Sequence, residues 1–198
     1  MAKIDLALIQ QLRETTGLGM LDCKKALEDT NGNVEEAMLL LRKKGAAFAE
    51  KRSSKDTAEG LVHAYIHPGS RIGVMIEINC ETDFVARNEN TIKFAQDICM
   101  HIAALRPLYL SPEQVDPIFL EREKQLFKEQ MADSGKPEKM IDQIVEGKLN
   151  KLYAEICLLN QSFVKDDQKT INDVVKELVA KTGENIRIRR FARYEIGA

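Results

Sequence analysis

No stretch of this 198-residue chain approaches the ~20 consecutive apolar residues that a membrane-spanning helix needs, so no such helix is expected. Net charge is also nearly absent. Lys and Arg number 29 against 31 Asp and Glu, a balance of −2, and the whole-protein field offers no long-range attraction to nucleic acid or to an anionic membrane. Cysteine is scarce and dispersed: Cys23, Cys80, Cys99 and Cys157 form no CxxC pair, a spacing unlike zinc sites or small disulfide scaffolds, and a reducing cytosol fits best. The amino terminus, MAKIDLALIQQLRE, carries charge every few residues and lacks the apolar core and cleavage site of a secretory signal, so a cytoplasmic location is expected. HExxH, GxSxG and P-loop motifs are missing, as are repeats and low-complexity tracts.

What is present is the composition of an ordinary folding protein, 44% hydrophobic and 30% charged. Three short helices are expected first. Asp5 is a plausible N-cap before Leu8, Ile9 and Leu12, and Gly17 supplies a stop. A second helix over residues 20–29 places Cys23, Ala26 and Leu27 on one face and meets the turn signal Asn31-Gly32. Asn33 with Glu36 makes a capping-box pattern ahead of Val34, Ala37, Met38 and Leu41 at helical spacing. Residues 42–55, RKKGAAFAEKRSSK, read as a basic linker, although Ala46 to Ala49 could extend a helix.

The apolar period then switches from 3.6 to 2. Val62, Ala64 and Ile66, a Pro68-Gly69-Ser70 turn, and Val74, Ile76 and Ile78 predict a β-hairpin. A helix over about 90–105 carries Ile92, Ala95, Ile98, Cys99 and Ile102 and ends before Pro107. Charged runs at about 112–131 and 137–159 flank Ser134-Gly135-Lys136 and suggest a helical hairpin. A last helix over about 171–181 stops at Gly183, and IRIRRFARYEI over 186–196 reads as a strand.

Two segments lying far apart in the chain are specific. LRETTGLGMLDCKKAL (12–27) and EINCETDFVAR (77–87) resemble the amino-terminal signature and the Thr-Asp-Phe-Val motif of the elongation factor Ts family, and the order of elements agrees over essentially the whole chain. The resemblance implies an α+β fold: a three-helix, ubiquitin-associated-type domain with the basic linker (1–54), then a core (55–198) with a three-stranded antiparallel sheet, packed helices and a helical hairpin. Longer members carry two tandem core subdomains and this chain has one, so it resembles the short form, which implies a homodimer formed by packing of the core sheets.

The implied activity is guanine nucleotide exchange without bond chemistry, so no enzyme, catalytic residue, cofactor or metal site is expected. The factor would bind elongation factor Tu·GDP, disturb its Mg²⁺ and phosphate site, promote GDP release and then be displaced by GTP. No direct nucleic-acid or membrane partner is implied. Carried onto this sequence, the nucleotide-site wedge is Thr82, Asp83, Phe84 and Val85, and the amino-terminal grip is Leu12, Gly19, Met20 and Leu21. Locally, Thr82 can N-cap a short turn that leaves Asp83 and Phe84 at its outer end. Local sequence alone nevertheless favours Phe84 as core and Asp83 as a plain turn residue; the family resemblance reverses that preference. Leu12 can equally serve as core, and the glycines of Thr16-Gly17-Leu18-Gly19 suggest a left-handed bend rather than a phosphate cradle.

Other constellations carry less. His63 and His67 near His101 and Cys99 allow a metal site to be imagined, but exposed strand histidines are commoner than ligands. Arg187, Arg189, Arg190 and Arg193 could meet RNA phosphate, yet Phe191 and Tyr194 fall on opposite faces and make no stacking platform. Cys80 has no local histidine to activate it, and the charged run 121–151 reads equally as a partner-binding hairpin or a solvated face. Two rival functions remain at this level: a helical module that binds a peptide or ribosomal protein, and a thiol or zinc enzyme.

Overall fold

A computed structural model describes residues 4–131 and 136–197. Among the described residues the elements run α1 (Leu6–Thr16), α2 (Met20–Asp29), α3 (Val34–Arg52), β1 (Glu59–Ile66), β2 (Ile72–Cys80), α4 (Asp83–Ala86), α5 (Glu89–Leu105), α6 (Pro117–Glu129), α7 (Glu138–Ile156), β3 (Ser162–Phe163), β4 (Asp166–Thr170), α8 (Ile171–Thr182) and β5 (Ile186–Glu195). This is the expected α+β class, with a three-stranded antiparallel sheet in the order β1-β2-β5 and a small β3-β4 pair that the sequence reading did not anticipate. The chain groups into two compact units. One comprises the residues up to Val62, Glu77–Phe94 and Asp173–Arg189; the other comprises His63–Ile76, Ala95–Asn172 and the chain from Arg190.

In the first unit the local signals act as expected at the helix ends. The Asp5 carboxylate accepts from the Ala7 N–H at 3.1 Å, and Gly17, left-handed at φ 68°, closes α1 by donating to the Arg13 carbonyl. Asn33 caps α3 by accepting from the Glu35 and Glu36 N–H groups. The reciprocal half of the capping box does not form, because the Asn33 N–H is already given to the Thr30 carbonyl at 3.0 Å. Ile9, Leu12, Cys23, Ala26, Leu27, Ala37 and Leu41 make a core of their own between these three helices.

The basic segment expected as a linker is helix as far as Arg52. Its alanines are strong helix formers, Ala49 is buried, and the helix has a neighbour in α8: a Cβ on Gly45 would meet Ala180 at 3.0 Å, and Arg42 reaches Glu177 at 3.6 Å. Tertiary support of this kind outweighs solvated charge as a guide to helix ends.

Within the hairpin, the Ser70 N–H donates to the His67 carbonyl at 2.9 Å, with Gly69 and Ser70 at positive φ as the Pro-Gly-Ser turn requires. Gly60 in β1 lies so close to β2 that a Cβ there would run into the Ile78 carbonyl oxygen. Gly60→Ala is therefore expected to destabilise the protein by about 1–3 kcal/mol, read as a lower denaturant midpoint at constant slope. A wild-type midpoint would show that the two strands can separate at no cost.

β2 buries Val74, Ile76, Ile78 and Cys80 as its alternation predicts. β1 is the strand its alternation predicts, with its faces turned the other way from β2. Its apolar set Val62, Ala64 and Ile66 is exposed, while His63 and Tyr65 are half-buried. Alternation distinguishes two faces without saying which is covered, and α5 offers β1 a polar partner: His63 Nε2 hydrogen-bonds Gln96 Oε1 at 2.7 Å. Arg193 of β5 also faces α5, donating to the Ala103 carbonyl at 3.2 Å, so Tyr194 points the other way. Ile66, Met75 and Tyr194, exposed by 63, 51 and 72%, thus stand on the sheet face that α5 leaves uncovered.

The second unit is built on α5, which buries Ala95, Ile98, Cys99 and Ile102. α6 and α7 form the expected helical hairpin. Asp116 caps α6 with Pro117 in its first turn, Pro137 opens α7, and Lys128 pairs with Asp142 at 3.1 Å across it. The expected Ser134-Gly135 loop lies outside the described residues.

His101, by sequence a candidate ligand, is fully buried here. Its Nε2 hydrogen-bonds Gln161 Oε1 at 2.9 Å and its Nδ1 accepts from the Val164 N–H at 3.2 Å, which fixes a neutral ring. Burial pushes its pKa below the ordinary 6.5, outweighing the opposing Gln161 hydrogen bond. The unfolded chain binds that proton more readily than the folded one. The stabilisation is therefore complete above pH ~6.5 and declines as pH falls from there through the lowered folded value. His101→Phe should flatten the fall of melting temperature with acid, whatever its cost at neutral pH. Equal slopes in the two proteins would remove His101 from the account.

Candidate interaction surface

The site is built from the end of β2 outward. After Cys80 the chain leaves the sheet, and Thr82 at φ −129° and ψ 155° caps the single helical turn of α4, its hydroxyl oxygen accepting from the Val85 N–H at 3.4 Å. A four-residue turn has one inward position, and Ala86 takes it. Phe84 is left 83% exposed, which overturns the plain reading of this ring as core. Beside it, the half-exposed Asp83 carboxylate pairs with Arg87 at 3.0 Å, and Val85 is half-buried.

The turn is held from behind by residues that the sequence reading missed. One carboxylate, Glu184, accepts both the Thr82 N–H at 3.0 Å and the Thr82 O–H at 2.7 Å. Glu81 accepts the Arg52 guanidinium at 2.9 and 3.1 Å and the Asn185 N–H at 2.6 Å. The Asn185 amide in turn donates to the carbonyls of Ser53 and Lys55, at 3.2 and 2.7 Å. Only a polar pair after a helix-ending glycine, Gly183-Glu184-Asn185, hinted at such a role.

At the other predicted patch, Met20 and Leu21 are exposed by 41 and 72% at the start of α2. Leu12 is removed from that patch: it is completely buried in the three-helix core and has no surface to offer. Gly19 is the exposed N-cap of α2 in an extended conformation, φ −66°, so of the two glycines only Gly17 makes the left-handed bend. The Met20–Leu21 pair and the Thr82 turn belong to the same compact unit.

Other candidate groups are occupied locally. Among the described residues no cluster of three or more His, Cys, Asp or Glu is placed to hold a metal, and no helix is long and apolar enough to cross a membrane. All four cysteines are buried. Burial first, and then the Glu184 charge, raises the Cys80 thiol pKa; burial pushes Cys99 up to about 12 and, with the Glu113 charge, Cys157 to about 11. These groups stay thiols at neutral pH, which disfavours nucleophilic chemistry. Arg193 is drawn into the sheet's covered side by Glu195 at 2.8 Å and leaves the imagined basic surface.

A bare aromatic ring and a carboxylate at the tip of a capped turn, on a small α+β scaffold, have the layout of a protein-binding surface. Comparison with known proteins identifies the family of the whole chain. The sequence model of the family described as Elongation factor TS matches residues 8–198. Elongation factor Ts of Geotalea uraniireducens is 53% identical over 194 residues, covering 98% of this chain and 90% of that protein. Those of Desulfitobacterium hafniense and Caldanaerobacter subterraneus are 53 and 52% identical, covering 100 and 96% of this chain and 91 and 94% of theirs. The chain belongs to the elongation factor Ts family.

Proposed function

We propose that this chain is a guanine nucleotide exchange factor of translation elongation, the role its family membership implies, and that it acts on elongation factor Tu in the cytoplasm without bond chemistry of its own. Nucleotide-switch proteins hold GDP partly through a Mg²⁺ that bridges phosphate oxygens and loop side chains. An exchange factor binds the nucleotide-free partner better than the GDP-bound one; by linkage GDP weakens the factor equally, and GTP later displaces it. In this reading Phe84 enters the partner beside the Mg²⁺ side of its nucleotide site, and the Asp83 carboxylate disturbs the cation's surroundings, with Thr82 and Val85 framing the turn. Met20 and Leu21, with the bend before Gly19, grip a second place on the same partner. The exposure of Phe84 carries the reading, because an aromatic ring left 83% in water at a capped turn is suited to anchor in a partner's pocket.

The homodimer belongs to the same proposal. Ile66, Met75 and Tyr194 leave an apolar strip on the uncovered sheet face, where a second copy of that face would exclude water. Residues 1–54, with a core of their own, are taken as the helical domain and 55–198 as the dimerising core. The test is direct: catalytic amounts of the chain should accelerate release of fluorescent GDP from elongation factor Tu. No acceleration by the folded protein would defeat the proposal.

A further inference from the structure

The residues behind the turn point to a role of their own. Thr82 Oγ must accept from the Val85 N–H and at the same time dispose of its own proton. Donating that proton to Glu184 at 2.7 Å fixes the hydroxyl rotor, leaving a lone pair toward Val85. The second oxygen of the same carboxylate takes the Thr82 N–H, so both donors of the cap residue sit on one side chain. The neighbouring residue ties this arrangement to α3: Asn185 binds Glu81 through its backbone N–H and the end of α3 through its amide, while Glu81 grips Arg52 in a two-bond fork. Two of the groups are well shielded, while the Arg52 side chain stays 34% exposed. Asn185 is 5% exposed and the Glu81 side chain 17%, conditions under which charge-assisted bonds hold geometry better than surface pairs do.

We infer that Glu184 is a positioning residue for nucleotide exchange, orienting the Asp83–Phe84 tip through Thr82, and that the adjoining Asn185–Glu81–Arg52 clasp locks the tip to the carboxyl end of α3. The inference rests on the exchange reading above. Glu184 touches no partner in this account; its effect is on how often the ring stands at the right angle. Docking through Met20 and Leu21 does not depend on it. The consequence is a split between the maximal exchange rate, which needs the oriented tip, and the concentration for half-maximal effect, which reflects docking.

The experiment follows GDP release from elongation factor Tu by stopped flow, with each variant's folded fraction fixed by its melting curve. Glu184→Ala should lower the maximal rate about tenfold while shifting the half-saturating concentration less than twofold. Glu184→Gln, which keeps a single acceptor oxygen for one of the two Thr82 donors, should recover only part of the rate. In a Thr82→Val background, where the hydroxyl is gone and only the backbone N–H still donates to Glu184, Glu184→Ala should cost clearly less than it does in the wild-type chain, a non-additivity that general destabilisation would not produce. A wild-type maximal rate for Glu184→Ala, or a full further loss in the Thr82→Val background, overturns the inference. Phe84→Ala separates the two levels. If it is slow while Glu184→Ala is not, the positioning role alone falls; if it exchanges at the full rate, the wedge reading falls and the inference with it.

Discussion

Phe84→Ala is expected to slow GDP release from elongation factor Tu by roughly 30- to 1000-fold at limiting factor concentration, the equivalent of about 2–4 kcal/mol for an aromatic hot spot. The same substitution should leave stability within about 0.5 kcal/mol of wild type, because a ring 83% exposed leaves no cavity when it is removed. This combination separates an anchor from a core residue, which would lose fold and function together. Asp83→Ala should have a smaller effect. Its carboxylate is tied to Arg87 at 3.0 Å on the surface, a pair worth little to folding, so under the proposed wedge role what is lost is the charge brought near the partner's cation. Full exchange by a folded Phe84→Ala protein would mean that the ring enters no pocket.

The second large effect concerns the uncovered sheet face. Sedimentation equilibrium should show the wild-type chain as a dimer at micromolar concentration, and Met75→Asp with Ile66→Asp as a monomer. Both side chains are more than half exposed, so the charges cost the isolated chain little. Buried without partners in an apolar interface, the same carboxylates would cost several kcal/mol each, more than such an interface can absorb. A wild-type monomer at tens of micromolar, or a double variant that stays dimeric, would contradict packing through this face.

Much of this was legible because the signals are local. Asp5, Gly17 and Asn33 mark helix ends through their own backbone bonds, and Thr82 announces a capped turn from one side chain and the strand before it. What the sequence hid is tertiary. The β1 alternation names two faces, and only the position of Gln96 decides that His63 faces α5 and that Ile66 does not. Leu12 satisfies both the motif and the helical period, and nothing in either says that the three-helix core takes all of it. The basic stretch after Arg42 stays helical because α8, some 130 residues on, lies beside it. The Glu184 bonds to Thr82 span 102 residues and the Asn185 bond to Glu81 spans 104, so no window of pattern reading contains them. Family resemblance supplied the expectation that Phe84 projects; the structure gives the reason, a four-residue turn whose single inward place belongs to Ala86.

The claim on which the account depends is that the chain distinguishes two states of its partner, since a ligand with equal affinity for both shifts neither. Isothermal titration of the chain against nucleotide-free and GDP-loaded elongation factor Tu measures this directly. The account predicts tighter binding to the nucleotide-free form, a gap narrowed by Phe84→Ala, and an equal weakening of GDP by the bound chain. Indistinguishable affinities for the two forms would contradict it.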